Sequence, residues 1–335
     1  MFLEELTNLP GVSGNEEAVK AFIYDQVKEQ GHELIEDAMG NLMVIKRCKD
    51  KAAGKEKAVK KVMLSAHMDE VGFMVSEITE QGMLKFVQAG GVDEKILPGL
   101  LLKVGEGALP AVCFEGEGLF LDIGAMSREE AMEKVSLGDY VTFASPFQTL
   151  GNRRVKAKAF DDRVGCAILL ELLMEDYPFD LYACFTVQEE IGLRGSEVAA
   201  HRVAPQLAFV VEGTTCSDLS HVDPLDVSSR LGEGPVISIL DKSTYYHQGL
   251  HRAIKNLAQK EKIKLQIKNT FTGGNDAGKI QRANEGTLVA VVSLPIRYIH
   301  SPTSVMSLFD YEESLKLLKS MLTKINFDSF KEEEL

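Results

Sequence analysis

Four runs of this chain are apolar almost without a break: Val62-Met63-Leu64-Ser65-Ala66, 181–187, 207–211 and 288–294. A strand of that kind has no polar side to give to water. It therefore reads as buried on both faces, as strands are in parallel sheets. Each run also stops, or nearly stops, at residues that bind metals. The first ends in His67-Met68-Asp69-Glu70, the second in Gln188-Glu189-Glu190 and the third in Glu212. The fourth leads past Pro295 to Arg297-Tyr298-Ile299-His300, and Ala159-Phe160-Asp161-Asp162-Arg163 lies between the first and second. Open α/β sheets bind their ligands outside the carboxyl ends of the strands. Two histidines and several carboxylates converging there suit a divalent metal, zinc first, in a hydrolytic site.

The rest of the chain supports an α/β reading. Between the runs lie helical patterns at 162–175, 196–201, 248–260, from Asp276, and 311–324, with further strands at 236–240 and 265–268. An earlier helix is marked by the apolar stripe Val19, Phe22, Ile23 and Val27, with Ser13-Gly14-Asn15 as its cap and Gly31 beyond its last turn. A strand at 41–46 follows, and the basic, alanine-rich 47–61 reads as an exposed connection. From 71 to 156 the texture changes to short apolar stretches between glycine-rich turns, with one short helix opened by the capping box Ser127-x-x-Glu130. The expected architecture is a mainly parallel sheet covered by helices, built from 1–70 and 157–335. A small β-barrel-like domain, 71–156, is inserted between them. The last residues, 331–335, read as a frayed acidic end.

Composition closes off other classes. A net charge of −13 opposes non-specific nucleic-acid binding. No apolar run nears the ~20 residues that span a bilayer, and the start lacks the basic and apolar segments of a secretory signal. The five cysteines are widely spaced with no CxxC, so neither a disulfide framework nor a zinc knot is suggested, and the expected compartment is the cytoplasm.

Within the site, His67 and Asp69 face the same way if the backbone stays extended, so the imidazole could bind metal while Asp69 orients it. Asp161 either caps a helix or uses its two oxygens to bridge two metals, with Arg163 holding the local geometry. Of Glu189 and Glu190, one can ligate and the other can take a proton from water. Gly274, Asn275 and Asp276, in a glycine-rich turn that begins at Thr272, form either a tight strand-to-helix turn or a site for the substrate backbone. The turn matches neither phosphate-binding fingerprint.

These motifs, with the Leu9-Pro10-Gly11-Val12-Ser13-Gly14 opening, Gly273-Gly274-Asn275-Asp276-Ala277 and Arg297-Tyr298-Ile299-His300-Ser301-Pro302, resemble the tetrahedral aminopeptidases. That family comprises glutamyl and deblocking aminopeptidases, some also called endoglucanase M. The resemblance implies a zinc-exopeptidase-like fold and a dinuclear metallopeptidase acting on peptides. His67, Asp161 and Glu212 would hold one ion; Asp161, Glu190 and His300 would hold the other. Glu189 would be the general base and Asp69 the partner of His67. Two divalent ions per chain are implied, zinc first, with cobalt or manganese as alternatives. The resemblance also implies self-association through the inserted domain, with dimers building a dodecamer. The chain departs from the family in carrying Glu212 where Asp is frequent, Asn275 where Thr is frequent, and a short insert.

Two other readings compete. A glycoside hydrolase would use Glu189 and a second carboxylate as its acid/base pair, and a non-peptidase amidohydrolase stands beside it as an alternative hydrolase. The chain has no Trp to stack on sugars, and the glycosidase reading leaves the two histidines unexplained. A non-catalytic binding module would lack a ligand or a base, and none is missing.

Overall fold

A computed structural model describes residues 2–48, 61–268, 271 and 273–324. Most of the expected connection at 47–61, the acidic end at 331–335, and Thr272 lie outside the described residues. The chain opens with two helices, α1 (Leu3–Asn8) and α2 (Glu17–Val27), then strands β1 (Glu33–Glu36), β2 (Leu42–Lys46) and β3 (Lys61–His67). Strands β4 (Gly72–Ile78), β5 (Leu84–Ala89), β6 (Leu101–Val104), β7 (Leu109–Gly116), β8 (Gly118–Asp122) and β9 (Tyr140–Phe143) follow, with α3 (Arg128–Met132) before the last. After β10 (Gln148–Thr149) and β11 (Arg154–Ala157) come α4 (Phe160–Leu172), β12 (Asp180–Thr186), α5 (Arg194–Val203) and β13 (Leu207–Thr215). The chain continues through β14 (Val236–Ser238), α6 (Gln248–Lys260), β15 (Gln266–Lys268), α7 (Ala277–Gln281), β16 (Leu288–Ile296), β17 (Ser304–Ser307) and α8 (Leu308–Lys324).

The main sheet has eight strands in the order β1-β2-β12-β3-β13-β16-β14-β15. Its centre, β12-β3-β13-β16, is parallel throughout. These four strands are the continuous apolar runs. Side chains on both of their faces are buried because helices cover both sides. The α4 helix packs on β3 and β13, and its Val164, Ile168 and Leu172 belong to the larger core cluster. Antiparallel strands flank the centre, with β2 against β12 and β14 against β16. The carboxyl ends of the four central strands therefore open on one edge, the one that carries the metal-type residues.

The insertion is a closed six-stranded barrel, β4-β5-β8-β7-β6-β9, with its own core around Phe73, Leu102, Leu121 and Phe143. Its last strand ends at Phe143. The stretch expected to complete the insert does something else: β10 and β11 form a separate small sheet in which β11 pairs with β17. The capping box at Ser127 forms in altered shape. The Ser127 hydroxyl accepts from Glu130 N–H, while the Glu130 carboxylate accepts from Met126 N–H rather than from Ser127.

Ser13 is not the cap of α2, whose N-cap is Glu16. The segment around Ser13 instead pairs with the exit of β3: Glu70 N–H donates to Gly11 O, and Ser13 N–H donates to Glu70 O. No described helix is long and apolar enough to cross a membrane.

Candidate metal centre

His67 closes β3 and is 1% exposed. Its Nδ1 lies 3.0 Å from the backbone carbonyl of Asp69 and 3.4 Å from the Asp69 carboxylate. The nearer acceptor is thus the main chain, and a proton on Nδ1 leaves Nε2 free to face the cleft. The Asp69 carboxylate has another task. It accepts from Glu189 N–H at 2.9 Å, Glu190 N–H at 3.1 Å and the Ser13 hydroxyl at 2.6 Å. It therefore fixes the turn after β12 that carries both glutamates. Gln188 enters that turn in the left-handed region (φ 58°), and its N–H donates to Glu16 Oε1.

Asp161 stands in the first turn of α4, where the backbone is not helical, and its peptide bond to Asp162 is cis. Arg163, fully buried, donates to the carbonyls of Met68, Leu6 and Leu9, tying α4 to the β3 exit and to α1. Glu212 sits inside β13, which runs on to Thr215 rather than ending before it. Beyond β16, His300 takes φ 59° and turns its ring into the cleft, where Nδ1 donates to Gly91 O at 2.9 Å.

These side chains meet around Asp161. Its Oδ1 is 3.3 Å from His67 Nε2, and its Oδ2 is 3.3 Å from His300 Nε2. His67 Nε2 is also 3.3 Å from Glu212 Oε1, and His300 Nε2 is 3.2 Å from Glu190 Oε1. Glu189 stands slightly back, with Oε2 4.0 Å from His67 Nε2. His67, Asp161 and Glu190 present ligand atoms within 4.8 Å of one another. Asp162 also comes within that distance of His67 and Glu212, but its oxygens accept from His67 N–H and Gly165 N–H. Both contacts are to backbone N–H groups of the fold, so the Asp162 carboxylate is already engaged in holding β3 against α4.

The donor set fits a cation. His67 Nε2, Asp161 Oδ1, Glu190 Oε1 and Glu212 Oε2 are all buried without a hydrogen-bond partner. Four orphaned polar atoms in one place are costly unless something else satisfies them. The titration pattern agrees. Burial alone would lower both imidazoles, yet His67 is held well above its usual value by Glu212, Asp161 and Asp69. His300 is raised to about 11 by Asp161 and Glu190. Both rings thus lie in a strongly negative field, the field that a divalent ion would also meet. Burial pushes the Glu189 carboxyl well up against the opposing pull of His67, and Glu212, Asp276 and Glu190 raise it further. A carboxyl so placed is suited to taking and returning a proton.

A cleft of about 370 Å³ opens from this centre, with Thr214, Asp241, Lys268, Gly274 and Asn275 along its walls. Gly274 and Asn275 line this cleft. Asp276, in the same turn, is 1% exposed and accepts from the Thr186 hydroxyl at the end of β12 at 2.8 Å. The Asn275 amide donates to Asp241 and Tyr246, so the side chain braces the wall. Gly91, Asp241 and Lys268 belong to no ligand-type sequence pattern, and Ser13 reads from the sequence only as a helix cap.

The model of the M42 glutamyl aminopeptidase family matches residues 40–114 and 114–317. A putative aminopeptidase of Acetivibrio thermocellus is 35% identical over 328 residues, which is 94% of this chain and 96% of the relative. Among solved structures, an aminopeptidase from the archaeon Desulfurococcus kamchatkensis is 30% identical with a TM-score of 0.93, covering 100% of this chain and 97% of that one. The TET1 peptidase of Pyrococcus horikoshii, which can assemble into a tetrahedron or a large octahedral shell, is 31% identical with a TM-score of 0.85, covering 96% and 98%. Between peptidase and glycoside hydrolase these findings decide for the peptidase. The chain belongs to the M42 glutamyl aminopeptidase family and is a hydrolase that acts on peptide bonds.

Proposed function

We propose that the chain removes residues from the amino end of peptides with two divalent cations gathered about Asp161. His67 and Glu212 would complete one site, and Glu190 and His300 the other. The supporting observation is that the two oxygens of one carboxylate each lie 3.3 Å from a different imidazole nitrogen. Imidazole with carboxylate suits zinc first, then cobalt or manganese. Bound there, the cations would supply Lewis-acid polarisation of the scissile carbonyl and lower the pKa of the attacking water.

Glu189 does the proton work. Its carboxylate takes a proton as the water oxygen bonds to the carbonyl carbon. It returns that proton to the amine nitrogen as the C–N bond breaks, leaving a free amino acid and a shortened peptide. Asp69 holds Glu189 and Glu190 in place through their backbone N–H groups. The surplus of carboxylates suits the substrate's free ammonium group.

Lys268 selects what enters. Its Nζ is 3.0 Å from Thr214 Oγ1 and belongs to the cleft wall, with no ion-pair partner among the described residues. A cation there favours an acidic first residue, with Gly274 and the braced Asn275 flanking the peptide. The barrel serves self-association towards a dodecamer, a reading supported by the tetrahedral assembly of the P. horikoshii peptidase. Five free, buried thiols accord with a cytoplasmic home.

Two variants test the roles of the adjacent glutamates. Glu189→Gln keeps its shape and loses basicity, so two ions per chain should remain while turnover falls by roughly 10²–10⁴-fold. Glu190→Gln should lose one ion as well. Elemental analysis beside an anilide assay reads both. A Glu189→Gln enzyme at full rate would refute the proton-carrier role.

A further inference from the structure

His300 owes the aim of its ring to the inserted barrel. The acceptor of its Nδ1–H is the carbonyl of Gly91, on the turn that follows β5, 209 positions earlier in the chain. That turn is packed against the centre. A Cβ on Gly90 (φ +90°) would fall 2.7 Å from Val71 Cγ1 and 3.2 Å from Glu190 Cβ, so only glycine lets the turn come this close. It is also braced from the barrel side. Gln88 Oε1 accepts from Val92 N–H, and Gln88 Nε2 donates to Glu94 Oε1. Barrel side chains reach the same place: Val71 and Phe143 wall a small hollow together with Asp161, Glu190 and His300.

We propose that the barrel is a working part of the hydrolytic centre, with the Gly90–Gly91 turn as a positioning element that fixes the His300 ring. A proton held on Nδ1 by Gly91 leaves the Nε2 lone pair aimed at the space shared by Asp161 and Glu190. That is the tautomer and orientation a metal needs from an imidazole. This rests on the reading of His300 as a ligand. If it is right, the two halves of the centre differ in origin. The His67 side is oriented by the backbone just past the exit of β3, whereas the His300 side depends on where the barrel sits.

The test uses the full-length protein and reads metal binding as well as activity. Gln88→Ala removes the brace and touches none of the metal-type residues. Gly90→Ala pushes the turn away from Val71 and Glu190. Zinc content and affinity are measured by elemental analysis and equilibrium dialysis, with thermal melting to report folding. Both variants should hold one ion as tightly as the parent and bind the second roughly 10–100-fold more weakly, the usual effect of losing an outer partner of a ligand. Gly90→Ala should show the larger change. If Gly90→Ala does not fold, Gln88→Ala decides. Two ions held at parental affinity, or both weakened alike, would overturn the proposal. His300→Ala separates the layers: retention of two ions there would refute the ligand reading itself. Loss of one ion in His300→Ala with none weakened in the turn variants would refute only the role of the barrel.

Discussion

Lys268 sets an ammonium group in a cleft otherwise walled largely by carboxylates and hydroxyls. Burial lowers its pKa, while Asp241, Glu212 and Asp161 draw it back up, so the group sits in their combined field. A glutamyl side chain reaching it would gain a charge-assisted bond worth roughly 1.5–3 kcal/mol, or about 10–100-fold in binding. Lys268→Met should therefore raise KM for a glutamyl anilide by about that factor and leave a leucyl anilide nearly unchanged. An unaltered ratio of kcat/KM for the two substrates would remove Lys268 from the specificity account. The sequence offered no route to this residue. His67, Glu190 and Glu212 were legible because a buried apolar strand that stops on, or holds, a charged group announces a site. Lys268 ends a short edge strand, where lysine is ordinary. Asp276 was obscure for a related reason: a turn places neighbouring residues on opposite sides, and only the fold shows that Gly274 and Asn275 line the cleft while Asp276 is buried.

Elements were legible where their pattern is local and obscure where it is not. The four central strands and the helices α4, α6 and α8 follow from periodicity and burial. The opening segment does not. Ser13 has the chemistry of a cap, but its hydroxyl is taken by Asp69, 56 positions away, while Glu16 Oε1 accepts from Gly14 N–H and Gln188 N–H. Such long-range partners carry no local signal. A similar clip joins the loop after β13 to the end of β16. Arg297 Nε donates to Asp218 Oδ1 at 2.6 Å, and Leu231 N–H donates to Oδ2. Burial would raise the Asp218 carboxyl, but Arg297, Cys216 and Leu231 hold it at about 2, below its ordinary 3.8. The folded state therefore binds this proton more weakly than the unfolded chain does. The stabilisation is complete above about pH 4 and is lost as pH falls through 2. In metal-stripped protein, the melting-temperature gap between parent and Asp218→Asn should be constant from pH 6 to 4 and shrink towards pH 2. A gap that stays constant down to pH 2 would show that the clip does not titrate.

At the scale of the whole molecule, the barrel presents an unusual surface. An antiparallel sheet with one buried face normally offers polar residues to water. Here apolar residues meet across strands on the outside: Met74 faces Val87, Leu101 faces Val112, and Phe114 faces Phe120 with the rings stacked at 5.7 Å. Leu101 is 52% exposed and Val112 is 47% exposed. Cross-strand apolar pairs of this kind stabilise a sheet only modestly when left in water, and patches of them mark contact surfaces. The net charge of −13 sets a general repulsion between copies, so association has to come from such local patches. Val112→Lys with Phe114→Glu keeps the inward-facing barrel core and should break large particles into smaller ones, as read by light scattering. If the barrel turn holds His300 within each chain, cleavage of a single-residue anilide should survive that dissociation, because no partner copy is needed to complete the centre. Unchanged particle size would place the assembly contacts elsewhere on the chain. A parent protein that stays at 36.9 kDa at all working concentrations would refute self-association altogether.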